Sequence, residues 1–555
     1  MFIKFAITSF FVIINVIISW LFNYRSIYGT DDANIYMVYM RNFAEGYGFV
    51  YNLGYERVEG FTSLLWTIIG AIFFKISEIP EVLMLLFNIF LISYALWLLV
   101  VYIDRDYKKE GLISNNSLLL LGLLSVVPGF FDWTVLSLME TGLWSALLII
   151  LGLETYKFID KPFNRELDFK FCVLLIILTL TRPEGIIWGV AFICLRVYVC
   201  FVSNKNFYEI YQIFKYPIFI FLSTILLITI WRYNYFGYLL PNTFYAKVSI
   251  DPLHNFILGI KYTYRFLKSY PFIILYGIAC IKILIEPSYN DNSKKRLFNV
   301  VNFIFLIITL IYPLAVGGDH MSGHRFIQPT IPLMLFGAIY LMNMFYKLEN
   351  IYYVTLIIFI SGFISREGYI ERITRNDKIS SEWKIAIDGR LFGEKLNLFF
   401  SDHSYLPSVG HITSGGMALT YKGLNIDLLG LNNTLMAHST YVKDRNLGKN
   451  HASFDKEVFF MQRPEIFRWY IIEKYEFDPS KIPCDNYKFD WVMDVLKNIP
   501  EDERFFSNYD YVAIENIKTQ QILIGYATRD FIESLDLKYF IPYKCNLSHH
   551  SILQH

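Results

Sequence analysis

The sequence predicts an all-α membrane domain of about 11 spans followed by a soluble α/β domain outside the membrane. First, 55% of the 555 residues are hydrophobic and only 18% are charged, against roughly a quarter charged in soluble domains. Second, apolar runs of roughly 20 residues, the length that crosses a bilayer, recur from Phe5 to Ile364 and then stop. Third, Arg366 to His555 mixes charges, prolines and short strand-like runs. We therefore expect a membrane domain over 1–365, with an external loop over 23–79, and an extracytoplasmic domain over 366–555.

The first apolar run, Phe5 to Phe22, is expected to remain as a membrane anchor. Lys4 precedes it, as in a signal peptide, but its end lacks the small residues that a signal peptidase needs.

The positions of Lys and Arg predict the orientation, because short cytoplasmic loops carry the excess of both. We place the N-terminus and the following basic segments in the cytoplasm: Arg105–Lys109, Lys157–Lys170, Lys205–Lys215, Lys294–Arg296 and Lys347. The external segments are then Thr30–Gly60, Trp133–Thr141, Trp231–Asp251, Gly317–Arg325 and the chain after Ser365. This scheme requires that the apolar stretch Thr62–Ile79 does not cross the membrane, so we interpret it as a re-entrant or interfacial helix.

Two smaller features leave alternatives open. Residues Thr181–Gly185 fit an external turn between two short spans, or a kink in one helix with Arg182 and Glu184 paired inside it. Glu140 and Glu184 either cap spans or belong to a site.

In the C-terminal part, Ser404–Gly410 and Leu424–Leu429 are predicted strands, with a helix over Gly415–Tyr421 between them. Cys172, Cys194, Cys200 and Cys280 lie in apolar runs and are expected to serve only packing. Cys484 and Cys545 could form a disulfide in an oxidising compartment, and the sequence leaves this open.

The formal net charge of +1 gives no support for a nucleic-acid partner. We expect the partners to be membrane lipids and lipid-linked molecules.

The loop after the first span carries the main candidate for catalysis, Asp31 and Asp32. Carboxylates in the first turn of a helix are favoured by the helix dipole, which is the purely structural interpretation. An aspartate at such a place can act as a base that deprotonates an attacking hydroxyl. Because adjacent helical residues point about 100° apart, one of the pair should face the cavity while the other orients it.

Two later loops carry candidates for binding phosphate groups and other polar parts of a substrate. One contains Asn242, Tyr245 and Lys247, although tyrosines there also fit an interfacial aromatic belt. The other contains Asp319, His320, His324 and Arg325 between glycines, with too many ionisable groups for a mere connector. A divalent metal on Asp319, His320 and His324 is possible but not favoured, because the glycines oppose a helix with the i, i+4 histidine spacing. We expect no cofactor and no metal, and hydrogen bonds to phosphate or sugar instead.

Several segments resemble the cell-wall arabinofuranosyltransferases of the GT-C superfamily of glycosyltransferases. The segments are Asp31-Asp32-Ala33, Arg41-Asn42, Gly46-Tyr47-Gly48, Glu56 to Ser63, Leu240 to Lys247, Gly318 to Phe326 and Asp427 to Asn432 with His438. One departure is His324, an additional residue where the family more often has Met-Pro-Gly-Arg.

The resemblance implies an inverting GT-C glycosyltransferase in the bacterial inner membrane. The donor would be a polyprenyl-phosphate-linked sugar, arabinofuranose or another, and the acceptor an envelope glycan or a lipid-linked molecule. Asp31 would be the base, with Asp32 beside it. We expect Lys247, Arg325 and Tyr245 to bind the donor phosphate, and the acceptor or the sugar to be bound by Arg41, Glu59, Asp319, His320, His324 and Asn242.

Two rival functions remain. A polyprenyl-sugar or polysaccharide transporter would explain the spans but not a large soluble domain. A non-catalytic envelope scaffold would tolerate substitution of its external acids.

Overall fold

The computed structural model describes residues 1–106, 113–160, 165–249, 251–285, 293–345, 360, 368–374, 378–439, 453–478, 494–497 and 499–544. By packing, the chain divides into two units. The first consists of Met1–Ala33, Phe61–Leu240 and Asp251–Lys384, and the second of Asn34–Gly60, Pro241–Ile250 and Ile385–His555. The boundary near residue 365 between a membrane domain and an extracytoplasmic domain stays a prediction.

The first unit is helical in its described residues. Its helices are α1 (Phe2–Phe22), the start of α2 (Asp31–Ala44), α3 (Leu64–Ile76), α4 (Pro80–Ile103), α5 (Asn115–Val126), α6 (Thr141–Asp160), α7 (Arg165–Thr181), α8 (Gly185–Val202) and α9 (Phe207–Phe236). After α10 (Asn242–Lys247), which belongs to the second unit, follow α11 (Pro252–Ser269), α12 (Phe272–Ile285), α13 (Ser293–Val316), α14 (Ile331–Phe345), α15 (Tyr369–Ile373) and the start of α16 (Ser381–Phe399).

Six described helices are long and apolar enough to cross a membrane. They are Phe2–Phe22, Pro80–Ile103, Thr141–Asp160, Gly185–Val202, Phe207–Phe236 and Lys294–Val316. Five shorter apolar helices cover Leu64–Ile76, Asn115–Val126, Phe169–Thr181, Phe272–Lys282 and Gln328–Leu341. The apolar helical part is thus confirmed, whereas the number of about 11 crossings and the orientation stay predictions. Lys347 and the apolar run before Ile364, except Ile360, lie outside the described residues.

The helix α3 occupies the stretch that we interpret as re-entrant or interfacial. Its 13 residues rise about 20 Å, which is too short for roughly 30 Å of hydrocarbon. Ser63 caps its start by accepting a hydrogen bond from the Trp66 backbone N–H, and the Trp66 indole donates to the Leu138 carbonyl at 3.1 Å.

A single turn of π-helix, Asp132–Leu136, replaces the loop expected around Trp133. Such turns leave backbone groups out of register and are frequent at functional sites. The carboxylate of Asp132 is buried and accepts two hydrogen bonds from Arg372 of α15, at 2.8 and 2.7 Å. Asn23, at the end of α1, donates to the same carboxylate. Residues 368–374 are therefore anchored in the helical unit.

The second unit contains a six-stranded mixed sheet in the order β2-β1-β3-β5-β4-β6. The strands are β1 (Val409–His411), β2 (Asn425–Asp427), β3 (Ile466–Glu473), β4 (Tyr509–Asn516), β5 (Gln521–Thr528) and β6 (Phe540–Lys544). β1 is parallel to β2 and β3, and the other pairs are antiparallel. The shorter helices of this unit are α17 (Gly416–Thr420), α18 (Thr434–Ser439), α19 (Lys456–Gln462), α20 (Glu503–Asn508) and α21 (Arg529–Ser534).

The two faces of the sheet are covered by separate apolar clusters. One cluster includes Leu396 and Phe399 of α16 and Phe531 of α21, packed with Val512 and Ile514. The other includes Phe459 and Phe505, packed with Phe467 and Tyr526. Both predicted strands and the helix between them exist, although β1 starts only at Val409. Cys484 and Cys545 lie outside the described residues.

Candidate functional site

The acidic pair occupies the first turn of α2, directly after the first candidate span. Asp31 is buried, whereas Asp32 is partly buried. The preceding backbone is fixed because the Thr30 N–H donates to the Ser137 carbonyl at 3.2 Å. Two carboxylates are tolerated in this turn because the free N–H groups of a helix start favour negative charge.

Arg325 joins the acidic pair to the loop that follows α13. Its Nη1 lies 2.9 Å from Asp32 Oδ2 and its Nε lies 2.8 Å from Asp319 Oδ2. Burial by itself lowers the pKa of Arg325, but the carboxylates of Asp319 and Asp32 raise it above its usual value. The guanidinium therefore stays charged and holds Asp32 and Asp319 at fixed positions, although the two residues are 287 positions apart in the sequence.

The loop from Gly317 to Phe326 is made of turns, and its three glycines all have φ in the left-handed region. Gly318 has φ +70°, and a Cβ on it would lie 2.5 Å from Tyr262. Gly323 has φ +77°, and a Cβ there would lie 2.6 Å from the Trp133 indole nitrogen. These described residues form no helix, as expected from the glycines. His320 and His324 therefore do not lie one helical turn apart.

The two histidines of this loop have different surroundings. His320 is exposed, and its ring nitrogen Nδ1 lies 3.2 Å from Asp319 Oδ1. His324 is buried against the rings of Tyr262, Phe266 and Tyr270, at centroid distances of 5.3, 5.5 and 6.0 Å. Burial lowers the pKa of His324 to about 4, Arg265 acts in the same direction and Asp319 opposes. His324 is therefore neutral near pH 7 and packs among aromatic rings, and its role in binding the acceptor or the sugar stays a prediction.

Trp133 forms one wall beside Arg325. Its indole N–H donates to the Ser322 carbonyl at 3.0 Å, and its ring lies 5.7 Å from the Arg325 guanidinium carbon. The Trp383 ring packs on it at 5.9 Å. Through Trp133, the π-helical turn thus contacts the backbone of the loop that carries Arg325.

Glu382 is an acid of this site that the sequence analysis missed. It lies in the first turn of α16, next to Trp383, and the charged groups that face it belong to His320, Asp32, Arg325 and Asp31. Burial raises the pKa of Glu382 to about 7; Asp32 and Asp31 add to the rise, while His320 and Arg325 oppose it. In the sequence it is an isolated acid 350 residues after Asp32, which nothing distinguishes from a surface carboxylate.

The raised pKa predicts a pH-dependent stability for Glu382→Gln. A carboxyl whose folded pKa is raised stabilises the fold fully below its unfolded pKa, and loses this contribution as pH rises through about 7. At about pH 4, below the ordinary carboxyl pKa of 4.5, the protonated wild type and the isosteric variant should melt at nearly the same temperature. At about pH 8.5 the variant should be more stable by roughly 1–2 kcal/mol, after a reduction for partial exposure. Thermal melts in detergent across this range would measure it.

The matched control is Glu394→Gln, an exposed acid on the same helix. Its melting-temperature difference from wild type should stay constant with pH. A Glu382→Gln difference that is equally constant would contradict the titration of Glu382 near neutrality.

A second buried charge cluster lies at the ends of α6, α7 and α8. Arg182 contacts Glu184 at 2.7 Å and also forms a short ion pair with Glu140. The segment contains both features that we considered: α7 ends at Thr181 and α8 begins at Gly185, and Arg182 and Glu184 are paired. Arg325 experiences the charge of Arg182, so the two clusters are electrostatic neighbours.

Other predicted site residues belong to the second unit, where the motif segments pack on one another. Asn242 Nδ2 donates to the carbonyls of Gly430 and Leu431, at 2.7 and 3.0 Å, and the Asn242 N–H donates to the Glu59 carbonyl at 3.1 Å. The Tyr245 ring lies 4.3 Å from the ring of His438. Three segments far apart in sequence therefore meet in this unit.

The turn at Gly60 and the loop after β2 are joined through Tyr39. The Tyr39 hydroxyl donates to Asn432 Oδ1 at 3.1 Å and accepts from the Gly60 N–H at 3.1 Å. Asp427 accepts from the Asn432 backbone and side chain at 2.8 and 3.0 Å, so its carboxylate organises the loop. A Cβ on Gly60 would lie 1.9 Å from Asn432 Oδ1, which explains the glycine in this motif.

Arg41 donates to the Leu419 carbonyl at 2.6 Å, and burial lowers its pKa. Glu59 is buried, and Lys247 and Tyr245 are partly buried. The predicted sites are thus distributed as follows: Asp31, Asp32, Asp319, His320, His324 and Arg325 lie in the first unit, and Arg41, Glu59, Asn242, Tyr245 and Lys247 in the second. The roles in binding phosphate, acceptor and sugar stay predictions.

Within the described ranges, no group of three or more His, Cys, Asp or Glu side chains has an arrangement that could hold a metal ion. The expectation that the protein uses no cofactor stays a prediction.

Comparisons with known proteins give only distant structural matches. No protein-family model and no curated protein sequence matches the chain. Two solved structures of an oligosaccharyltransferase from Archaeoglobus fulgidus are similar to it. The complex with Zn and sulfate is 9% identical, covers 96% of this chain and 75% of that chain, and has a TM-score of 0.46. The apo form is 10% identical, with coverages of 96% and 76% and a TM-score of 0.46. At these TM-scores neither match bears on the chemistry.

Proposed function

We propose that this chain is an inverting membrane glycosyltransferase of the GT-C type, which transfers one sugar from a polyprenyl-phosphate donor to an envelope glycan or a lipid-linked acceptor. The observation that carries the proposal is the acidic pair of α2. Asp31 is buried in the first turn of α2, the helix that follows the candidate span α1, and Arg325 fixes the neighbouring Asp32. A buried carboxylate is costly unless it is paired, and such groups gather at functional sites.

The proposed reaction is a single displacement. Asp31 takes the proton of the acceptor hydroxyl, and the hydroxyl oxygen forms a bond to the anomeric carbon. The bond from that carbon to the phosphate oxygen breaks on the opposite side, and its electron pair leaves with the polyprenyl phosphate. A base positioned in this way accelerates such a step by about 10²- to 10⁴-fold.

Arg325 fits an orienting role beside the base. Two of its N–H groups donate hydrogen bonds to Asp32 and Asp319. Its remaining N–H groups are the ones that we propose for a phosphate or sugar oxygen. Lys247, which the sequence analysis assigns to the donor phosphate, is a further cation of this proposal.

Lys247→Ala tests the phosphate role with the least disturbance of the acidic cluster. Loss of a charge-assisted hydrogen bond should raise the donor KM by about tenfold or more, with a smaller change in kcat. Donor titrations in native membranes would measure both constants. Lys395→Ala, an exposed lysine on α16, is the control. Equal donor KM values for both variants would rule the role out.

A transfer assay in membranes tests the function itself. Membranes that contain the protein are supplied with a panel of radiolabelled polyprenyl-phosphate sugars. The proposal predicts that label from one donor enters a glycan or lipid fraction, and that membranes without the protein leave it on the carrier. Label that crosses the bilayer on its intact carrier would instead favour the transporter function. If the label is neither transferred nor moved across the bilayer, the scaffold function is favoured.

A further inference from the structure

The helix α11 presents an apolar stripe to the outside of the unit. Five large residues at helical spacing are 44 to 67% exposed: Leu253, Phe256, Ile257, Ile260 and Tyr264. At about 100° per residue they fall within a sector ~100° wide. In water, an exposed apolar stripe of this size would promote aggregation. We therefore expect this face of α11 to contact an apolar environment such as lipid.

A basic stripe lies directly beside the apolar one. Lys261, Arg265 and Lys268 are exposed and follow one another at i, i+4 and i+7. In the angular projection they flank one edge of the apolar sector. A helix with an apolar face and neighbouring cations has the pattern of segments that lie in a membrane interface.

The opposite face of α11 packs on a candidate span near its end. A Cβ on Gly259 would lie 2.5 Å from the Leu314 Cα and 2.6 Å from the Pro313 carbonyl, two and three residues before α13 ends at Val316. The buried face of α11 therefore contacts the last turn of that candidate span. From the same buried face, Tyr262 and Phe266 contact His324 of the loop that carries Arg325.

α11 is not suited to cross the bilayer. Three cations within its 18 residues would enter the hydrocarbon, where each costs about 2.5–3.5 kcal/mol at the centre. Asp251 caps its start by accepting from Leu253 and His254 N–H groups, and the helix ends at Ser269. The next helix, α12, is apolar and follows after Pro271.

We propose that α11 is an interfacial helix that binds anionic phospholipid headgroups. Its apolar stripe lies at the boundary of headgroups and acyl chains, while Lys261, Arg265 and Lys268 contact lipid phosphates. Through Tyr262 and Phe266 the bound lipid surface supports the loop of Asp319 and Arg325. The occupant is the bilayer itself, so the inference holds whichever reaction the protein catalyses.

Depth measurements test the position of α11 in the full-length protein in lipid nanodiscs. A single cysteine at Ile260, in a background without the native cysteines, carries a fluorophore, and Leu537→Cys in the sheet unit is the control. We expect quenching at residue 260 by lipids with a nitroxide near the headgroup, and quenching of the control only by aqueous iodide. Strongest quenching at residue 260 by nitroxides at the acyl-chain ends would indicate a span, and quenching only by iodide a water-exposed helix. Either result overturns the proposal.

Native mass spectrometry tests the charge contribution without removal of the cysteines. The triple variant Lys261→Gln, Arg265→Gln and Lys268→Gln is compared with the control triple Lys395→Gln, Lys422→Gln and Lys538→Gln, which removes three exposed lysines of the second unit. Each cation near the surface contributes about fivefold to anionic-lipid affinity. Bound phosphatidylglycerol should therefore fall at least about tenfold in the first triple and little in the second. Equal loss in both, or none in either, would refute anionic-lipid binding by α11.

Discussion

Asp31→Asn is expected to lower the transfer rate by about 10²- to 10⁴-fold, because it removes the proposed base and keeps the size of the side chain. The carboxylate of Asp31 is buried in the first turn of α2, where asparagine also fits a helix start. The fold should therefore survive, and the loss should appear in kcat. Initial rates with saturating donor and acceptor would measure it, together with the melting temperature of the purified variant.

Two further variants make this result specific. Asp32→Asn removes the ion pair to Arg325 at 2.9 Å but leaves Asp319 on the guanidinium, so we expect a smaller loss of rate. Glu45→Gln, an exposed acid just after α2, should keep the wild-type rate. If Asp31→Asn transfers sugar as fast as Glu45→Gln, Asp31 is not the base. A larger loss in Asp32→Asn than in Asp31→Asn would exchange the two roles.

Asp132→Ala is expected to destabilise the protein by about 3–5 kcal/mol. Asp132 and Arg372 are 1% and 3% exposed and form two parallel hydrogen bonds, so the substitution leaves an unpaired guanidinium in a buried place. Asn23 loses its acceptor on Asp132 as well. The loss should appear as a lower melting temperature and a smaller fraction of monodisperse protein after extraction into detergent.

The exposed pair Arg105 and Asp160 provides the matched control. It has a similar N···O distance of 2.7 Å, but its side chains are 44 and 37% exposed. Asp160→Ala should cost at most about 1 kcal/mol, because water screens such pairs. The double variant Asp132→Leu with Arg372→Met should recover much of the stability, since no buried charge is left unpaired. Equal losses in Asp132→Ala and Asp160→Ala would contradict this account of the π-helical turn.

The elements that the sequence predicts well are those with a local cause. Long apolar runs produce α1, α4 and α8, and a stretch too short to cross produces α3. The acidic pair could be singled out because two carboxylates stand one short step after a span. The loop of Asp319 and Arg325 was visible from its glycines and its concentration of ionisable groups.

Features that depend on distant contacts were not predictable. Nothing in the sequence indicates that Arg325 bridges Asp32 and Asp319, or that Glu382 faces the acidic pair. His324 was expected to bind acceptor or sugar, and only the positions of Tyr262, Phe266 and Tyr270 reveal its aromatic surroundings.

The remaining differences concern backbone geometry and strand pairing. The π-helical turn at Asp132–Leu136 depends on packing with distant residues, which the local sequence does not reveal. The predicted strand Ser404–Gly410 pairs only from Val409 onward, and Pro407 inside it lacks the N–H that a strand ladder needs.

The central claim is that the acidic pair belongs to a site that breaks the bond between the sugar and the carrier phosphate. Its most direct measurement uses purified protein in liposomes with one radiolabelled polyprenyl-phosphate sugar and an acceptor extract. For each labelled sugar that enters the acceptor, the wild type should release one polyprenyl phosphate, and Asp31→Asn should release almost none over the same time. Release by Asp31→Asn at the wild-type rate, or labelled sugar that reaches the opposite side of the bilayer with its phosphate bond intact, would contradict the account.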